Sequence, residues 1–198
     1  MDNDIFNYID KIYEIISEYN YDYKKTSQSL ISLKSDILNH NFEKNAYYYQ
    51  LMATLEYFIY LSNSEESPYK SLLPSNNKIH NYFQKSLELD INNPPLRYLF
   101  SLYLYNTGDF INSKQQLLEI DTQYYKDIEM YDRVIKIKEL ILCCEIFLNE
   151  AKESNIIDFF GILKSSEDYT YPGDLIKTIY YNQKYYTSQI KSEINTFE

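Results

Sequence analysis

IHNYFQKSLELDINNPPLRYLFSLYLYNTGDFINSKQQLLEID, residues 79–121, decides the fold. It reads as helix, Pro-marked turn, helix, Gly-Asp turn, helix. Ile79, Phe83, Ser86 and Leu87 share one face of a helix over 78–89. Asn93 is placed to cap the next, with Pro94 and Pro95 in its first turn, where a missing N–H costs little. That second helix carries Leu96, Leu99, Phe100, Tyr103 and Leu104, with Ser101 small where a neighbour comes close. Gly108 suits a left-handed helix end, and Asp109 the cap of a third helix that buries Phe110, Leu117 and Ile120, with Ser113 small. The outer helices match each other at a separation of 34 residues, pairing Ile79 with Ser113, Phe83 with Leu117 and Ser86 with Ile120. A helix–turn–helix period of that length belongs to stacked repeats.

Upstream, Ile5, Ile9, Ile12, Ile16 and Tyr19 mark a first helix, with Asp2, Asn3 or Asp4 as its N-cap. The short 20–23 turn makes it an antiparallel hairpin with a helix over 23–40, which turns Leu30, Leu33 and Ile37 inward. A third helix over 42–61 is apolar around much of its circumference and expects neighbours on more than one side. Residues 62–77, with Pro68, Pro74 and Glu65-Glu66, read as a mobile loop insertion. Downstream, 128–151 reads as one long helix with Met130, Val134, Ile137, Ile141, Cys144 and Leu148 inward, since no glycine breaks it. A short helix over 156–163 follows, where Gly161 allows a close approach. The segment 165–173 reads as a connector, and Asp174 caps one final amphipathic helix over 174–197.

The central stretch resembles a tetratricopeptide repeat. In that family the first helix of a repeat carries a large residue, a large–small pair and another large one. An aromatic, a small residue and a further large one follow the turn. Arg97, Phe100, Ser101 and Leu104 occupy the first set, and Phe110, Ser113 and Leu117 the second, around Gly108-Asp109. Arg97 stands where the family has an aromatic or aliphatic residue, and Ile120 where it has a small one. The pattern resumes at Tyr131, Val134 and Ile135. The resemblance implies a stack with a concave protein-binding surface and a last helix covering its exposed end. Carboxylate-binding members carry Lys, Arg and Asn on the inner face. Here Tyr98 and Leu102 stand there, so an aromatic and aliphatic groove is expected.

Composition narrows the function. The formal net charge of −10, with only Arg97 and Arg133 as arginines, argues against nucleic acid and anionic membranes, both of which need clustered base. The start MDNDIF lacks the pattern of a secretory signal. The most apolar run, 140–148, is interrupted by Glu145 and too short to span a bilayer. Adjacent Cys143 and Cys144 make no disulfide framework, and consecutive helical residues diverge too far to share a metal ion. They read as small buried apolar residues. His40 reads as a helix-end residue and His80 as lying on the outer side of its helix. The acidic pairs Glu65-Glu66 and Glu167-Asp168 read as solvated charge. Three glycines make no phosphate loop, and the 24 tyrosines are read as compositional bias.

The expectation is therefore an all-α, single-domain chain (1–198) of stacked antiparallel helix pairs, a tetratricopeptide-like superhelix of about nine helices. Its parts are N-terminal helices (1–61), a loop insertion (62–77), a repeat-like core (78–121), a long and a short helix (122–164), and a capping helix (174–197). The expected role is a cytoplasmic, non-enzymatic adaptor or scaffold without cofactor or metal. It binds a protein or peptide through Tyr98, Leu102 and Tyr105, with Tyr131 and Lys138 as further contacts. The alternative is an acidic immunity protein that neutralises a basic toxin or nuclease.

Overall fold

The computed structural model describes residues 2–19, 22–63, 76–166 and 171–197. Among these are eleven α-helices and no strand. The chain divides into two compact units, Met1–Gly108 and Asp109–Glu198, so the boundary falls inside the 79–121 stretch, at its Gly-Asp turn.

The first unit holds α1 (Asp2–Glu18), α2 (Tyr23–Asn39), α3 (Ala46–Asn63), α4 (Asn77–Leu89) and α5 (Pro94–Asn106). As the breadth of its apolar surface predicts, α3 is central. One side packs Leu51, Met52, Leu55 and Ile59 against Ile5, Ile9 and Ile12 of α1 and Leu30, Leu33 and Ile37 of α2. The other packs Ala53 and Tyr57 against Ile79, Phe83 and Leu87 of α4 and Leu96, Phe100 and Tyr103 of α5. Each such aliphatic or aromatic side chain contributes about 1.5–3 kcal/mol when fully buried.

Side-chain contacts give the helix directions. Tyr8 near the start of α1 meets His40 at the end of α2, so the two run antiparallel. So do α3 and α4, since Ser86 Oγ donates to the Ala46 carbonyl at 2.7 Å and Lys78 reaches Glu56. Alternate helices are parallel. Phe6 meets Tyr47 and Tyr13 meets Phe58 along α1 and α3. Along α3 and α5, Asn93 donates to Gln50 and Asn106 to the Tyr57 hydroxyl.

The second unit holds α6 (Phe110–Leu118), α7 (Thr122–Asp127), α8 (Tyr131–Phe147), α9 (Glu153–Lys164), α10 (Gly173–Tyr181) and α11 (Ser188–Ile194), with a 3-10 turn at Gln183–Tyr185. Phe110 stacks on Phe147 at 4.2 Å and Ser113 Oγ lies 3.6 Å from Cys144 Sγ, so α6 and α8 are antiparallel. Further along, α8 and α10 run parallel, as do α9 and α11. Glu139 and Ile146 of α8 receive Leu175 N and Asn182 Nδ2 from α10. Glu153 and Lys164 of α9 meet Thr187 and Glu193 of α11.

Local chemistry explains the boundaries. Asn93 accepts from Leu96 N with the two prolines behind it, Asp109 accepts from Asn112 N, and Gly108 sits at φ 81°, as their residue types predict. Several expectations are corrected. Asn3 and Asp4 lie inside α1 rather than before it, and α3 starts at Ala46, not residue 42. The long 128–151 helix is shorter, running Tyr131–Phe147, and α7 precedes it. Glu129 and Asn149, both at φ 59°, close α7 and α8 without a glycine. In each case the residue after them bonds back five positions, Met130 N to Tyr125 O and Glu150 N to Glu145 O, a Schellman closure.

The final 174–197 helix is two helices, because Asn182 ends α10 and Thr187 caps α11 by accepting from Ile190 N. Asp174 is not a cap: Pro172 holds that position, and Asp174 pairs with Lys136. Gly161 makes no close approach, since a Cβ there meets nothing within 4 Å. Of the loop expected at 62–77, Ser62 and Asn63 belong to α3, Asn76 caps α4 and Asn77 opens it. Residues 64–75 with Glu65-Glu66, and the pair Glu167-Asp168, lie outside the described residues.

Candidate functional site

The five residues expected to line a groove fall in both units. Tyr98, Leu102 and Tyr105 share one face of α5 at i, i+4 and i+7. Tyr98 is only 7% exposed, and Leu102 and Tyr105 are half-buried. Tyr131 and Lys138 share an exposed face of α8 in the second unit, Tyr131 opening the helix at 50% exposure. Within the first unit, the odd-numbered helices α1, α3 and α5 lie side by side.

That layer carries residues the sequence reading passed over. Phe6 and Tyr13, 43% and 48% exposed, sit across the α1–α3 seam against half-buried Tyr47 and Phe58. Ring centroids are 5.1 Å apart in the first pair and 5.9 Å in the second, both inclined rather than face to face, as aromatic quadrupoles prefer. The signal was present in the sequence as two aromatics seven residues apart, off the isoleucine stripe of α1.

Charged groups in the interior act as clasps. Glu56 of α3 takes Lys34 of α2 at 2.8 Å and Lys78 of α4 at 2.6 Å on the same oxygen. Burial alone would raise its pKa, but the hydrogen bonds and charges of the two ammonium groups outweigh it and hold the carboxyl below its ordinary range. In the second unit Glu139 is fully buried. One oxygen accepts from Leu175 N at 3.0 Å and the other pairs with Lys136 at 2.8 Å. It thus does for α10 what an N-cap side chain does, from another helix. Burial disfavours the Lys136 ammonium, yet Glu139 and Asp174 more than compensate and raise its pKa.

Both cysteines are free and buried. Burial drives Cys143 well above the usual thiol value and Cys144 up to about 11, leaving neither much thiolate at neutral pH. His40 stacks on Phe42 at 5.4 Å and donates through Nδ1 to the Asp36 carbonyl at the end of α2. His80 is not on an outer face: it is half-buried and edge-on to Phe100, the ring centroids 5.2 Å apart. Buried Arg97, the departure from the repeat pattern, donates Nε to the Ile91 carbonyl ahead of α5. Among the described residues no group of three or more His, Cys, Asp or Glu is arranged to hold a metal ion, and no helix is long and apolar enough to cross a membrane. Comparison of the chain with protein-family models, curated proteins and solved structures finds no match.

Proposed function

We propose that this chain is a tetratricopeptide-like helical-repeat module, cytoplasmic and non-enzymatic, that binds a protein or peptide on the layer formed by its alternate helices. The observation that carries the reading is direction. Within the first unit α1, α3 and α5 run parallel, and within the second α8 with α10 and α9 with α11 do so, while α1 with α2, α3 with α4 and α6 with α8 run antiparallel. Stacked helix pairs produce that relation, and within the first unit it sets α1, α3 and α5 in one layer available as a binding face. The face of α5 is aromatic and aliphatic through Leu102 and Tyr105, and these residue types suit the centre of a protein interface.

The test is capture of partners from a lysate of the native organism by the wild-type chain and by Leu102→Glu/Tyr105→Glu. Tyr98 is left intact because a charge at a buried site unfolds the helix pair. Loss of partners by the folded variant is the expected result, and an unchanged partner set removes this face. The acidic charge of −10 favours a second reading, an inhibitor of a basic toxin or nuclease. A single tight partner whose association slows steeply with salt selects it over the adaptor.

A further inference from the structure

We propose that the α1–α3 seam of the first unit docks a basic amphipathic helix of a partner protein. The proposal rests on the interaction-module reading and deepens it by naming the partner's chemistry. Ile5, Ile9 and Ile12 supply the core face of α1, and Phe6 and Tyr13, which pack on Tyr47 and Phe58 across the seam, keep 43% and 48% of their surface exposed. With Tyr47 and Phe58 they make two apolar steps separated by seven residues of α1, about 10 Å. A partner helix meets such a spacing with anchors at i and i+7.

Charge selects which helix. Asp10, four residues on from Phe6, and Glu14, four on from Asp10, border the rings on the exposed surface, and Glu18, four further on, extends the acidic row. Lys11, the one base of α1, lies over the Tyr8 ring at 5.1 Å. An apolar strip edged by carboxylates complements leucine-like anchors flanked by Lys or Arg. Phosphate-bearing surfaces are repelled by the same row.

Two fluorescein-labelled peptides test this, one of two LKKLLKL heptads and one with Glu in place of Lys, each titrated by anisotropy with the full chain. The Leu/Lys peptide is expected to bind. Phe6→Ser/Tyr13→Ser should weaken it about tenfold, since aromatic anchors dominate such interfaces. Asp10→Lys/Glu14→Lys should reverse the preference toward the Leu/Glu peptide. If the ring variant melts early, the charge variant, altered only at exposed positions, carries the test alone. Equal binding of both peptides, binding indifferent to the variants, or none at about 100 µM overturns the proposal. The module reading is judged separately, on whether Leu102→Glu/Tyr105→Glu alters partner capture, so either can fail alone.

Discussion

Glu129 and Asn149 hold backbone conformations that favour glycine, each at φ 59°, in turns that end α7 and α8. A Cβ in that region costs about 1 kcal/mol, less for Asn, whose side chain bonds locally. Glu129→Gly is therefore expected to stabilise the chain by about 1 kcal/mol in urea unfolding, and Asn149→Gly by less. A loss of stability at Glu129 would mean that its side chain, not its backbone, matters there. Gly161 is the converse case, a glycine inside α9 with open space at its Cβ. Gly161→Ala should gain about 0.5–1 kcal/mol by helix propensity alone, and a destabilised variant would reveal a contact that the static geometry lacks. These positions also explain what the sequence concealed. Gly108 announced its turn by residue type, whereas Glu129 carries no such signal and Asn149 a much weaker one than glycine, so 128–151 read as unbroken.

Helices in each unit are tied by buried carboxylates, and their removal tests the architecture. Glu139→Ala strips α10 of its only described acceptor for Leu175 N and leaves Lys136 with Asp174 alone. Breaking a buried pair of this kind costs about 3 kcal/mol, whereas Glu139→Gln, which keeps an acceptor oxygen, should cost less. Equal losses in urea unfolding would refute the capping role. Glu56 gives a pH signature. Its folded pKa lies below the unfolded one, so its stabilisation is present above about pH 4.3 and disappears as pH falls through that value and then through the folded pKa. Glu56→Gln should cost about 1–2 kcal/mol at pH 7, tempered by the partial exposure of both lysines, and should flatten the fall in stability between pH 5 and 3. Parallel acid limbs in the two proteins would show the clasp to be inert. None of this was legible beforehand, because a Glu at a helical core position looks like a solvated charge until its partner from another helix is known. The apolar stripes were legible. Ile5, Ile9 and Ile12 in α1, and Leu30, Leu33 and Ile37 in α2, are buried where period 3.6 places them.

At the scale of the molecule the candidate site was only partly readable. Tyr98 was expected to face a groove because it stands, with Leu102, where carboxylate-binding repeats carry inner-face Lys, Arg and Asn, but a position in a repeat pattern does not fix the neighbours, and its ring is buried. Tyr13 was passed over because 24 tyrosines make any one of them unremarkable, and Phe6 because it lies off the isoleucine stripe of α1; only their pairing with Phe58 and Tyr47 marks them out. The division at Gly108 and Asp109 leads to the last expectation. The first unit contains two apolar clusters built wholly from its own helices. The second buries Leu117, Val134, Ile137, Leu140, Ile146, Ile156, Phe159, Phe160, Leu175, Ile179, Ile190 and Ile194 from five of its six helices. A unit of about a hundred residues with a core of its own is large enough to fold alone. Residues 1–108 expressed separately should thus give a helical circular dichroism spectrum and a cooperative melt, and the Glu56→Gln acid signature should persist in that fragment. A fragment that is helical but melts without cooperativity would mean that the two clusters around α3 need the rest of the chain to pack uniquely, and the 79–121 stretch would then be the seam of one cooperative structure rather than the boundary of two.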